Sequence, residues 1–336
     1  MKARLVSLSL VVLLPFIPWI NGQSLCPQPD DISPCSCSYD AETKAVTVVC
    51  STVTSVWEIF SAFNEVIWPF TELNTFVMRH NDAIMEWPEG LFGKVTFENI
   101  ILGYTSVTTI HPSVLISLKD RIVTLDCQTC GLQDFPWDIV PQLTHLQVFY
   151  INDYYNPIME IPQGFFESME SLQNASIHGC QLGPVLANGT MEFHSQVLAK
   201  ISLGGNEISS VESHGINGLI AHTIIRLWWN DIQELTEESF RPILEVLSTG
   251  SGYIDFGDAS TGDAIVCGCS MAWIVLNPDF LASIVGTCAD GIDFQDLDPE
   301  YFEDFCLKTN PPREGDFFTW IHSDRSSTIE GNPRGP

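Results

Sequence analysis

Apolar residues along this chain recur in one frame, with large apolar side chains at positions 1, 4, 6 and 11 and a small or amide side chain at 9. Leu198, Ile201, Leu203, Asn206 and Ile208 fill it in "LAKISLGGNEI". Phe97, Ile100, Leu102, Thr105 and Val107 fill it again, as do Leu172, Ala175, Ile177, Cys180 and Leu182. So do Ile122, Leu125, Cys127, Cys130 and Leu132. Ile225, Leu227, Asn230 and Ile232 follow an off-type His222, and copies with one or two extra residues start at Leu73 and Leu146, the second reaching Asn156. A degenerate further copy lies at Tyr253–Phe256. Starts at 73, 97, 122, 146, 172, 198 and 222 are 24 to 26 residues apart. Each frame predicts a short strand whose positions 4 and 6 share one face while their neighbours share the other. A second apolar group follows, such as Trp87-Pro88 with Phe92, Ile161-Pro162 with Phe166, or Leu235 with Phe240.

A frame of this kind, held in phase at this period, is the leucine-rich-repeat signature. No repeat can bury its own apolar side, so neighbours must stack and the strands must run parallel, about 4.8 Å apart. The predicted class is α/β: a leucine-rich-repeat solenoid with a curved parallel sheet on its concave face, an irregular or short helical convex side, and disulfide caps. The boundaries are a signal peptide at 1–22, a Cys-rich cap at 23–72, about seven to eight repeats at 73–260, a second Cys-rich cap at 261–306 and a flexible tail at 307–336.

Cysteines change the picture at both ends and in the middle. Cys127 and Cys130 form a Cys-x-x-Cys, a spacing shared by redox dithiols, zinc sites and purely structural pairs. Here they fall on position 6 and on the position-9 turn, both inward, so the structural reading is preferred. Cys26, Cys35, Cys37 and Cys50 cluster at the front, and Cys267, Cys269, Cys288 and Cys306 at the rear. Spacing leaves three pairings open for each cluster. The clusters resemble the flanking domains of extracellular leucine-rich-repeat proteins. That resemblance implies Cys26–Cys37 and Cys35–Cys50, then Cys267–Cys288 and Cys269–Cys306. Cys127, Cys130 and Cys180 remain. Cys130 and Cys180 sit two strand spacings apart, roughly 10 Å, beyond the usual disulfide reach of about 7 Å. Three buried thiols are therefore expected.

Lys2 and Arg4 precede an apolar run from Leu5 to Ile20, which reads as a secretory leader cut after Gly22. Its loss moves the net charge of -28 to about -30. With no later span-length apolar stretch, the expected product is secreted and extracellular, without a membrane span. Its acidity argues against nucleic acid as a partner. No catalytic signature is present, the histidines are scattered, and no cofactor or metal is expected. Sequons occur at Asn188 and Asn174.

A binding surface remains. The candidates on the concave face are Arg79, Tyr104, Asp126, Tyr150, His178, Arg226, Trp228, Trp229 and Tyr253, aromatic and Arg types that interfaces favour. In "IIRLWWND", alternation turns Trp228 to the concave side, and Trp229 sits in the bend before Asn230. The front cap "CPQPDDISPCSC", the repeats with Cys at position 9 and the rear "CGC" resemble, from Cys26 to Cys306, the non-catalytic leucine-rich-repeat subunits of Oplophorus-type luciferin 2-monooxygenases. That resemblance implies a secreted accessory protein whose partner is a small catalytic subunit, and it transfers no catalytic residue. The alternative is an extracellular recognition or adhesion protein that binds another protein or a glycan.

Overall fold

The computed structural model describes residues 25–133, 135–152, 158, 160, 161–258, 260, 263 and 265–308. The predicted leader, most of the predicted tail and the second repeat insertion at Asn156 lie outside these residues. Eleven strands form one sheet. They are β1 (Ser36–Tyr39), β2 (Val46–Val49), β3 (Glu72–Asn81), β4 (Thr96–Thr105), β5 (Thr124–Cys130), β6 (Val148–Asn152), β7 (Asn174–His178), β8 (Lys200–Ser202), β9 (Ile224–Arg226), β10 (Tyr253–Asp255) and β11 (Ile284–Val285). Spatial order follows chain order. Only β1 and β2 pair antiparallel; every later pairing is parallel. The register keeps the frame: Phe76, Ile100, Leu125, Phe149 and Ala175 align across five strands. All five are buried. The molecule is a leucine-rich-repeat solenoid, and its sheet continues into both cysteine caps.

Behind the sheet, aromatic rings fill the interior between repeats. Phe63, Phe76, Phe92 and Phe97 contact one another at centroid distances of 5.0 to 6.1 Å. Phe149, Phe165, Phe166 and Phe193 form a second group. Such pairs add stability beyond the area they bury. The convex side carries short helices, Val56–Asn64, Pro112–Leu118 and Glu237–Leu247, and two-residue parallel bridges such as Val185–Leu186 with Ser210–Val211. The first of these helices opens with a capping box between Ser55 and Glu58.

The end of each strand sets the geometry of the next. Residue 8 of the frame is left-handed at His80 (φ 52°), Tyr104 (54°), Thr129 (55°), Gly179 (70°), Gly205 (66°) and Trp229 (57°). That single left-handed residue reverses the strand alternation, so position 9 points inward although it lies three residues after position 6. Inside, position 9 forms a hydrogen-bonded column. Asn206 Oδ1 accepts the N–H of Cys180, and Asn230 Oδ1 accepts those of Asn206 and Ile208. The amide nitrogens donate within the repeat and to the one before: Asn206 Nδ2 to the carbonyls of Leu203 and Ile177, Asn230 Nδ2 to those of Leu227 and Leu203. Asn81 plays the same part at the front, donating to the carbonyls of Ser51 and Val53. The column satisfies backbone groups that the bend would otherwise leave buried and unpaired.

The same reversal corrects the expectation of three thiols. Cys127 and Cys130 are bonded to each other, with Cα atoms 5.8 Å apart. Cys130 is out of reach of Cys180 but not of its partner within the same repeat. With Thr129 left-handed, Cys127 and Cys130 both face the interior, within disulfide reach. The bond ties the strand to its bend at a repeat that has no position-9 amide. Cys180 keeps a buried thiol, which donates to the carbonyls of His178 and Ile151. The caps hold Cys26–Cys37, Cys35–Cys50, Cys267–Cys288 and Cys269–Cys306. Alkylation of the protein denatured without reductant should label Cys180 and spare the other ten cysteines; peptide mapping that finds label on Cys127 or Cys130 would contradict this arrangement.

The column ends on a carboxyl. Asp263 Oδ1 accepts the N–H of Asn230 at 2.6 Å, but Oδ2 has no partner among the described residues. An amide in that place would donate; an ionised carboxylate cannot. Burial first, and then the charge of Asp231, push the Asp263 carboxyl up to about 7, against the opposing pull of the Asn230 N–H. The folded value lies above the unfolded value of 3.8. The stability linked to this group is therefore complete below about pH 4 and is lost as pH rises to about 7. Asp263→Asn should remove that loss, raising stability at pH 8 by roughly 1–3 kcal/mol with little change at pH 4. Thermal unfolding of both proteins at pH 4, 6 and 8 measures it, and an equal effect at all three values would refute the assignment.

Candidate functional site

The concave face is built from positions 3, 5 and 7 of the frame, which point away from the aromatic interior. The structure gathers the sequence-predicted residues there into two groups rather than one continuous strip.

The front group spans β3 to β6. Arg79 lies across Gly103, whose absent Cβ would stand 3.4 Å from the Arg79 Cγ. It reaches toward Asp126, whose Oδ2 accepts from Gln128 Nε2 at 2.9 Å and whose Oδ1 has no hydrogen-bond partner among the described residues. Burial raises the Asp126 carboxyl above its ordinary value, opposed by the Gln128 hydrogen bond and by the charge of Arg79. Tyr150 is the cross-strand neighbour of Asp126. Its phenol is pushed up by burial and then by that carboxylate. At the rim, His80 and Tyr104 stack at 5.0 Å and 10° between planes. Tyr104 is 57% exposed.

The rear group spans β7 to β10. Trp228 and Trp229 stack at 5.2 Å, with their planes 5° apart. His178 lies against both, 6.4 Å and 5.9 Å from their rings. Burial lowers its pKa, which favours the neutral imidazole. The Arg226 guanidinium stands over the Trp228 ring at 5.6 Å, and its Nε lies 3.8 Å from Asp255 Oδ2. Tyr253, half-buried, is the cross-strand neighbour of Ile224. Trp228 is the inner indole, half-buried over Gly204, while Trp229 is the outer one at 44% exposure. Gly204 is the residue that sequence reasoning missed. A Cβ there would come within 2.6 Å of Trp228 Cδ1 and 2.8 Å of His178 Nδ1. The only sequence signal for it was the Gly204-Gly205 pair at the end of a frame.

The two sequons lie in different surroundings. Asn188 is exposed in a convex turn, whereas Asn174 is half-buried in β7 and the sequon's Ser176 donates to Asn152 Oδ1 at 2.6 Å.

The site is thus an open, curved, parallel-sheet face of a leucine-rich-repeat protein with two clusters of aromatic and charged side chains. The chain is similar to the Oplophorus-luciferin 2-monooxygenase non-catalytic subunit of Oplophorus gracilirostris, with 24% identity over 328 residues, covering 84% of this chain and 88% of that protein. Among solved structures it is similar to a chain of the octameric complex of Latrophilin 3, Unc5D and FLRT2, with TM-score 0.47, 15% identity and coverage of 68% of this chain and 76% of that one. It is also similar to human 5T4, with TM-score 0.47, 12% identity and coverage of 83% and 99%. No protein-family model matches the chain. With a non-catalytic subunit as its relative, this is a non-enzymatic leucine-rich-repeat protein, and its five disulfides fit an oxidising, extracellular setting.

The two indoles should respond differently to mutation. Trp229 holds a left-handed conformation that is strained for any side chain, by about 1 kcal/mol or more. Trp229→Gly should therefore leave the melting temperature unchanged or raise it. Trp228→Ala should lower stability by roughly 1–3 kcal/mol, because it empties the space over Gly204. Thermal unfolding of the two variants side by side measures the contrast, and a greater loss for Trp229→Gly would reverse the assignment of inner and outer ring.

Proposed function

We propose that this protein is a secreted accessory subunit that uses its concave face to hold a small catalytic, luciferase-like partner. The observation that carries the reading is the rear aromatic group: an exposed indole in a strained backbone conformation, stacked on a second indole that a glycine makes room for. Strain and exposure at a large aromatic oppose stability, so they point to retention for binding. The similarity to a non-catalytic subunit supplies the kind of partner, since such a subunit works beside a catalytic one.

The test is co-purification from the native secretion with the tagged full chain as bait. A small oxidoreductase should be retained by the parent protein. Trp229→Ala should weaken its retention at least roughly tenfold, the effect of losing one good interface anchor, with an unchanged melting curve. Retention of glycans and no protein would instead establish the recognition or adhesion reading. Normal retention by Trp229→Ala would remove the concave cluster from the interface.

A further inference from the structure

The chain has 42 acidic and 14 basic residues. Its half-buried cations should then find carboxylates easily, and most do. Among the described residues the half-buried cations are Arg121, Lys200, Arg226 and Arg241. Arg121 holds Glu72 and Glu98 at 2.8 and 2.9 Å. Arg241 pairs with Glu237 and Glu245. Arg226 has Asp255 at 3.8 Å. Lys200 has no carboxylate within ion-pair distance and no hydrogen-bond acceptor among the described residues. It is placed beside Arg226, diagonally across β8 and β9, where Ser202 is the register partner of Arg226.

The surroundings are as unusual as the lysine. Between Asp126 on β5 and Asp255 on β10, the four strands β6 to β9 carry no acidic residue at all. In a chain so rich in Asp and Glu, this leaves a cationic island on the concave face, ringed by an acidic molecule. Lys200 is held below its ordinary pKa, by burial first and then by the charge of Arg226. Two neighbouring cations that share the single, long Asp255 contact are under-compensated until a further anion joins them. The indole stack with His178 forms the wall of this island, and Arg226 bridges the two by lying over Trp228.

We infer that Lys200 and Arg226, set against the Trp228–Trp229 stack, bind a carboxylate-bearing acidic segment of the protein partner. The inference rests on the reading that the concave face holds a protein, and it names the chemistry of what is held there. An acidic segment fits because the island alone is attractive to it. The outer acidic surface repels misplaced contacts, so the two together impose register. Two cations and an indole face match carboxylates interleaved with apolar side chains.

The probe is poly-L-glutamate, titrated into the full-length secreted chain at low salt and followed by tryptophan emission. A protein of this acidity should repel it everywhere else, so a saturable response reports the island. Lys200→Gln and Arg226→Gln should each weaken the response at least roughly tenfold, as loss of a principal contact does, with unchanged circular dichroism melting curves. Asp255→Asn should strengthen it, because the carboxylate competing for Arg226 is gone. Raising salt from about 0.01 to 0.15 M should weaken binding as screening shortens the reach of the charges. No response, a response that the two Gln variants keep, or a response to heparin but not to poly-L-glutamate would each overturn the inference, the last in favour of an anionic glycan. Partner co-purification separates this from the broader reading. If Trp229→Ala loses the partner while Lys200→Gln and Arg226→Gln keep it, the concave interface stands and the carboxylate site falls. If all three variants keep the partner, both fall.

Discussion

Everything in this molecule depends on how a parallel strand leaves the sheet. A strand in a stack 24 to 26 residues per turn must bend sharply at its end, and the bend buries peptide groups that need partners. The answer is one left-handed residue followed by one inward side chain. Asn206 and Asn230 then link the bend of one repeat to that of the next, N–H to Oδ1 along the column. Where the amide is replaced by cysteine, as at Cys130, a disulfide to the preceding inward position fastens the same corner. Both devices solve one problem, the closure of a corner that backbone pairing alone leaves open.

That corner also explains the concave face. A left-handed position favours glycine, and Gly179 and Gly205 fill it in two adjacent repeats. His80, Tyr104 and Trp229 fill it elsewhere, and each is exposed. A bulky side chain in that conformation is thrown outward along the rim of the sheet, since the inward direction belongs to the next residue. The strain that the frame imposes therefore becomes a row of ring-bearing side chains at the edge of the concave surface. Gly103 and Gly204 then let large neighbours lie flat across the strands.

Charge is distributed with the same separation of roles. The acidic residues lie mostly outside the concave face, where they favour solubility and oppose non-specific association. The concave face keeps a small number of charges, most of them half-buried, in two groups. Burial alters the pKa values of Asp126, Lys200 and His178, which places these groups where an incoming ligand changes their energy most.

The repeat frame, the inward rows and the outward alternation were all legible in the sequence, because a parallel stack with one buried side repeats the same pattern in every turn. The fold class followed from that periodicity, and so did the placement of Arg79, Asp126, Tyr150, His178, Arg226 and Trp228 on the outward face. What the sequence could not express was local handedness. The bond between Cys127 and Cys130 depends on the sign of φ at Thr129, and which indole is outermost depends on the sign of φ at Trp229. The isolation of Lys200 depends on which carboxylates lie near it in three dimensions. These were decided only when neighbouring repeats were stacked, because periodicity records which face a side chain takes and not what the adjacent strand places beside it.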